Sequence, residues 1–139
     1  MIQRIHVHAE TPCNPTEKTD RVVTALTNLF PTAEITIHES SIEATAHSLE
    51  TLSELLHQRE ILDTARSEFF ANQRPDGFRF QIKKQPAVEG IVTFAVGEPS
   101  ELGEITVDVT VEEPSVAELI DHIAPPTEDG VPIDPDELD

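Results

Sequence analysis

Three stretches of this chain alternate strictly between apolar and polar residues, and that period of two constrains the fold more than any other feature. From Gln3 to Glu10, Ile5, Val7 and Ala9 alternate with Arg4, His6, His8 and Glu10. Phe78, Phe80 and Ile82 alternate with Arg79, Gln81 and Lys83, while Ile105, Val107, Val109 and Val111 alternate with Thr106, Asp108 and Thr110. Successive side chains of a strand point to opposite faces, so each stretch reads as a strand with one face in a core and the other in water. Ala33, Ile35 and Ile37 against Glu34, Thr36 and His38 give a shorter strand, and Val88 to Val96 reads as another, joined to the Ile105 strand by turn chemistry over Pro99 to Gly103. Consecutive strands with short turns pair antiparallel. One apolar face per strand calls for helices on a single side of the sheet.

The helical segments are legible from their caps and stripes. Asn14, Pro15 and Glu17 supply an N-cap, a proline at the first helical position and an acid in the first turn of a helix carrying Val22, Leu26 and Leu29, which Pro31 stops. Ser48 caps a helical region from Leu49 to near Asn72, with Leu49, Leu52, Leu56, Ile61, Leu62, Ala65 and Phe69 apolar. Its stripe slips between Leu56 and Ile61, which predicts a kink or break near His57 to Arg59. Arg74, Pro75, Asp76 and Gly77 form a turn, and Ser115 with Glu118 forms a capping box for a final helix through Ile123. Residues 40–47 show no clear period. From Pro125 onward there are four prolines, many acids and no apolar periodicity. Residues 1–124 therefore read as a single α+β domain, a mostly antiparallel sheet with helices on one face, and residues 125–139 as an acidic, disordered tail.

A chain of 139 residues can bury roughly 68% of its unfolded surface, enough for a core without covalent staples. A single cysteine excludes a disulfide framework and a Cys-rich zinc module. The longest nearly apolar stretch, Ile91 to Val96, falls far short of the ~20 residues of a membrane span, and no basic start with an apolar run suggests secretion. The expected location is the cytoplasm.

Charge is the second constraint. The formal net charge is -18, with 27 acidic and nine basic residues. Such a surface repels nucleic acid and anionic lipid at ordinary ionic strength. In about 1 M salt, where the Debye length falls to roughly 3 Å, only contact-range charge matters. The acid is spread over almost every segment, which points to a protein adapted to a salty cytoplasm. All nine basic residues lie in residues 1–84, which sum to -3, and residues 85–139 sum to -15 with no base at all. Within residues 59–84, Arg59, Arg66, Arg74, Arg79, Lys83 and Lys84 outnumber Glu60, Asp63, Glu68 and Asp76, giving +2. Some of this is ordinary surface pairing, such as Arg59 with Asp63 at i,i+4 spacing. It is also the one segment with local positive excess, and Arg pairs with phosphate bidentately and stacks on bases.

Other chemistry is weakly supported. His6 and His8 share a strand face, and Cys13 and His38 could join them around zinc or copper, but no further ligand stands at a diagnostic spacing, so no metal site is assigned. His57, Glu60 and Asp63 at i,i+3 spacing suit acid/base work, yet they also suit a solvated helix face. Neither a Gly-rich phosphate loop nor a G-x-S-x-G elbow is present. No cofactor is expected, and the chain is not expected to be an enzyme.

The run PTEKTDRVVTALTNLFP from Pro15 to Pro31, the segment QREILDTAR ending at Arg66 and the segment FRFQIKKQPAVEGIVTF from Phe78 to Phe94 resemble an archaeal family of small proteins described as RNA-binding or exosome-associated. The resemblance extends to Gly103, Glu104 and Ile105 and to the APPTEDGVP tail, and Arg66, Lys84, Gln85 and Ala87 fall on its ILDxAR and KQxA patterns. Pro86 departs from it, as does the acidity, which marks a halophilic member. The resemblance implies a fold like that of the fifth large-subunit ribosomal protein. It also implies association with RNA or RNA-processing machinery, and together with the positive window it makes Arg59, Arg66, Arg74, Arg79, Lys83, Lys84 and Gln85 the candidate contacts. The alternative is a protein-interaction module or homodimer without direct RNA contact.

Overall fold

Every residue on the apolar side of the three alternating stretches is buried, from Ile5, Val7 and Ala9 through Phe78, Phe80 and Ile82 to Ile105, Val107, Val109 and Val111. In the computed structural model, which describes residues 4–95, 103–128 and 131–132, these stretches are β1 (Arg4–Pro12), β5 (Gly77–Lys83) and β6 (Glu104–Glu113). With β2 (Glu34–Ile37), β3 (Ser41–Ala46) and β4 (Gln73–Arg74) they form one six-stranded sheet in the order β2-β3-β1-β6-β5-β4. Every pairing in it is antiparallel. Five helices pack against its apolar face: α1 (Thr19–Leu29), α2 (Glu50–Gln58), α3 (Leu62–Ala71), α4 (Lys84–Val88) and α5 (Val116–Ile123). Val22, Leu26, Leu29, Leu52, Leu56, Phe69, Leu119 and Ile120 bring their stripes into the core. Phe69 lies at its centre, with ring centroids 5.0 Å from Phe78 and 4.8 Å from Phe80.

The expected α+β architecture is present, with three departures in its elements. Residues 41–46 form β3, whose Ile42, Ala44 and Ala46 are buried and whose partner is the central strand β1. Small alanines and intervening Ser41, Glu43 and Thr45 hide this alternation in the sequence. The strand read over Val88 to Val96 starts late: Val88 ends α4, and Glu89 N–H and Gly90 N–H turn back to Pro86 O and Ala87 O, while Pro86 sits in the first turn of that helix, where its missing N–H is tolerated. Among the described residues, only Thr93 to Ala95 return to β5: Lys83 N–H donates to Thr93 O (2.8 Å), Ala95 N–H donates to Gln81 O (2.9 Å), and Ile82 bridges to Phe94. Val96 and the turn from Pro99 to Leu102 lie outside the described residues, as does Gln3.

Third, α1 begins at Thr19. Asn14 and Glu17 instead close a turn before it, in which both the Asn14 backbone N–H (3.0 Å) and its amide (2.8 Å) donate to Glu17 Oε1. The long helix breaks as its slipping stripe predicts. Glu60 adopts φ 55, Ile61 N–H donates to Leu56 O and Glu60 N–H donates to His57 O, a Schellman closure of α2. That break separates Arg59 from Asp63 and puts His57 and Asp63 on different helices; His57 Nδ1 lies 2.7 Å from Ser53 O, and Asp63 accepts from Thr127. Neither the i,i+4 ion pair nor the acid/base group therefore has its expected helical geometry. The capping box of α5 forms on one side, with Glu118 N–H donating to Ser115 Oγ (3.2 Å). In the tail, β7 (Thr127–Glu128) pairs with β8 (Val131–Pro132), and residues 129–130 and 133–139 lie outside the described residues.

Candidate nucleic-acid interface

At one end of the sheet a surface cleft of about 330 Å³ opens between α1 and α4, lined by Thr16, Glu17, Lys18, Arg21, Val22, Lys84, Gln85 and Val88. Its floor is an ion pair out of water: the Lys84 side chain is 2% exposed and that of Glu17 7%. Lys84 Nζ donates to both Glu17 carboxylate oxygens (2.9 and 3.0 Å) and to Pro12 O (2.7 Å), so one ammonium ties the end of β1, the turn before α1 and the start of α4 together. Burial pushes the Glu17 carboxyl up, but the Asn14 N–H, the Lys84 ammonium and the Asn14 amide outweigh it and hold the group below its ordinary value. The lower wall is fixed by Asn28, whose amide donates to Ala87 O (2.9 Å) and Val88 O (3.1 Å). Above this neutralised floor Lys18, Arg21 and Gln85 are exposed, and neither Lys18 nor Arg21 has an ion-pair partner among the described residues. Lys83, adjacent in the chain, is exposed on the open face of the sheet.

The remaining sequence candidates are scattered. Arg74 Nη1 (3.0 Å) and Arg79 Nε (2.9 Å) converge on the same Oδ1 of Asp108 on the open face of β6. Burial raises the Asp108 carboxyl and the two guanidinium groups, Arg79 foremost, more than reverse this and lower it. Arg66 sits on the helical layer, where Nη1 lies 2.7 Å from Asp121 Oδ1 and donates to Ala124 O (3.2 Å) while the guanidinium covers the Phe70 ring at 4.9 Å. Arg59 is exposed at the end of α2. The positive window of the sequence is thus not one surface. Phe69, Phe78 and Phe80 belong to the core and Phe70 packs against it.

The histidines regroup as well. His6 pairs with His47, ring centroids 5.4 Å apart, and Cys13 Sγ is 4.0 Å from Thr19 Oγ1. His8 Nε2 lies 3.4 Å from Glu43 Oε1 and His38 Nε2 lies 3.0 Å from Glu43 Oε2. Ligand atoms of His8, Glu10 and Glu43 fall within 4.8 Å of one another, and among the described residues this is the group that could hold a metal.

A family model described as RNA binding matches residues 6–112. UPF0201 proteins of Methanocaldococcus jannaschii and Methanothermobacter thermautotrophicus are each 34% identical, over 90% and 86% of this chain and 75% and 90% of their own lengths. The chain belongs to this archaeal UPF0201 family. It also matches a UPF0200/UPF0201 protein of Archaeoglobus fulgidus at 34% identity over 96% of the chain, spanning 41% of that longer relative. The crystal structure of a UPF0201 protein from Methanococcus jannaschii superposes with a TM-score of 0.86 at 32% identity, covering 92% of this chain and 98% of that one. An Archaeoglobus fulgidus structure of the DUF54 family gives a TM-score of 0.60 at 25% identity, over 88% and 97%.

For a UPF0201 chain the residues that carry the resemblance turn out to brace the fold. Arg66 rivets α3 to α5, Lys84 anchors the cleft floor, and Ala87 is wholly buried. Lys18 and Arg21 lie outside the positive window, more than 60 positions before Lys84. A linear charge window cannot find a pair that only the packing of α1 on α4 brings beside Gln85. No helix among the described residues is long and apolar enough to cross a membrane.

Proposed function

We propose that this protein binds RNA without catalysing a reaction on it, by holding the phosphate backbone in the cleft between α1 and α4. The match of the RNA-binding family model over residues 6–112 carries this reading. The cleft supports it: Lys18 and Arg21 offer cationic donors, Gln85 an amide, and Lys83 extends the positive edge, while Glu17 is already neutralised by Lys84. Arg74 and Arg79 are left out because both are drawn onto Asp108, which offsets their charge. A chain of net charge -18 meets long-range repulsion from RNA, which concentrated salt screens to roughly 3 Å, while the phosphate contacts themselves weaken as salt rises. The same reading includes a place beside RNA-processing machinery such as the exosome, and kinship in fold with the fifth large-subunit ribosomal protein.

Ultraviolet crosslinking of the full chain to RNA, followed by identification of the modified peptides, tests the site. Crosslinks over Thr16 to Arg21 and Lys83 to Gln85 are expected; their absence, with crosslinks elsewhere or none, would remove the cleft from the account. One observation favours a second reading, a homodimer. Edge strand β2 carries Ile37, 60% exposed and the one large apolar residue so exposed among the described residues. Sedimentation of wild type and Ile37→Lys decides it: a dimer lost in the variant supports the reading, and a wild-type monomer rejects it.

A further inference from the structure

The open face of the sheet carries a second cluster, remote in chemistry from the cationic cleft. His8 and Glu10 stand two residues apart on one face of β1. Glu43 of β3 is the direct cross-strand partner of Glu10 and diagonal to His8. His38, in the turn between β2 and β3, reaches the second oxygen of the same Glu43 carboxylate, and its backbone N–H donates to Ser41 O (2.8 Å), which fixes that turn. Two imidazoles and two carboxylates from two strands and a hairpin turn thus gather around Glu43. Three of these side chains already place ligand atoms within 4.8 Å of each other.

Two imidazoles facing Glu43 alone leave the cluster incomplete. They satisfy one carboxylate and leave Glu10 directly opposite it, and like charges facing across a ladder destabilise the pairing. A divalent cation at the centre reverses the sign of that contact and uses all four donors. Zinc–nitrogen and zinc–oxygen bonds of about 2.1 Å set tetrahedral donors roughly 3.4 Å apart. For His8, Glu10 and Glu43 this needs a contraction on the order of 1 Å, which rotation about the outer torsions of partly exposed side chains supplies, and His38 joins through the same rotations from its place on Glu43. Imidazole with carboxylate is a borderline donor set, suited to zinc and its first-row neighbours and poorly matched to magnesium or calcium, which prefer all-oxygen shells.

We propose that His8, Glu10, His38 and Glu43 form a binding site for a divalent transition metal of the zinc class, which clips the β2–β3 hairpin to β1. The site is independent of RNA binding, and either can fail without the other. The full chain, stripped with a chelator and returned to concentrated KCl to suppress loose binding by surface acids, is titrated with Zn2+ by calorimetry and with Co2+ by visible absorption. One equivalent per chain, a tetrahedral cobalt spectrum and a zinc-dependent rise in Tm are expected. His38→Gln and Glu43→Gln are each expected to weaken zinc on the order of tenfold or more. His6→Gln, whose ring faces His47, is expected to leave the affinity unchanged. Because circular dichroism of each metal-free variant reports its folding, an unfolded variant is replaced by His8→Asn. No stoichiometric zinc uptake, no cobalt band, or equal affinity in wild type and Glu43→Gln would overturn the site.

Discussion

Lys84 shows how one residue can satisfy a sequence pattern and yet turn inward to brace the fold. Its charge is out of water and matched by Glu17, and removing one member of a buried pair strands the other. Lys84→Met is expected to cost about 3 kcal/mol in denaturant unfolding, whereas Lys84→Met with Glu17→Leu recovers most of that loss. A double variant no more stable than the single one would show that the pair is not what the ammonium serves. The same logic sets acid behaviour. The Asp108 and Glu17 carboxyls are held below their ordinary values of 3.8 and 4.5, so their contribution is full above those values and is lost as pH falls through the lower folded-state values. Asp108→Asn is therefore expected to lower stability at neutral pH and to flatten the loss below pH 3.8, as followed by thermal melts across the acid range. Single residues were the least legible level of the sequence. Arg66, Arg74, Arg79 and Lys84 read as a positive window, and their partners Asp121, Asp108 and Glu17 lie 29 to 67 positions away, beyond any local pattern.

At the scale of elements, the strictly alternating strands and the capped α5 were readable because their information is local. β3 was not, since alanines on its buried face supply little contrast, and α4 was not, since its five residues are too few to show a helical period. Two backbone positions test the junctions. Glu60 holds the left-handed conformation that closes α2, a region where glycine has no Cβ penalty. Glu60→Gly is expected to raise stability by roughly 1 kcal/mol, and no gain would mean that Glu60 makes a compensating interaction. Gly77 opens β5 directly opposite Thr110 of its neighbour β6: a Cβ there would meet Val109 O at 1.9 Å, a backbone atom that cannot step aside. Gly77→Ala is expected to lower the midpoint of urea unfolding sharply, and a midpoint at the wild-type value would show that the two strands can part locally.

For the whole molecule, charge and function meet. A net charge of -18 spread over most segments makes the compact state repel itself, while the ion pairs that salt also weakens are few and partly buried. Raising KCl from about 0.1 M to about 1 M, which shortens the Debye length from roughly 10 Å to roughly 3 Å, is expected to raise Tm. A fall would mean that surface pairing outweighs repulsion. Against that background a cleft with exposed Lys18 and Arg21 over a neutralised floor is where a polyanion can be met at contact range. Fluorescence anisotropy of a labelled single-stranded RNA, titrated with the full chain over a series of KCl concentrations, measures this most directly. Saturable binding is predicted for the wild type. Lys18→Glu with Arg21→Glu is predicted to lose at least tenfold in affinity and to show a log–log salt slope shallower by about 1.4, the share of two phosphate contacts. Equal affinity and equal slope in wild type and double variant, or no RNA binding by the wild type at any salt, would contradict the account.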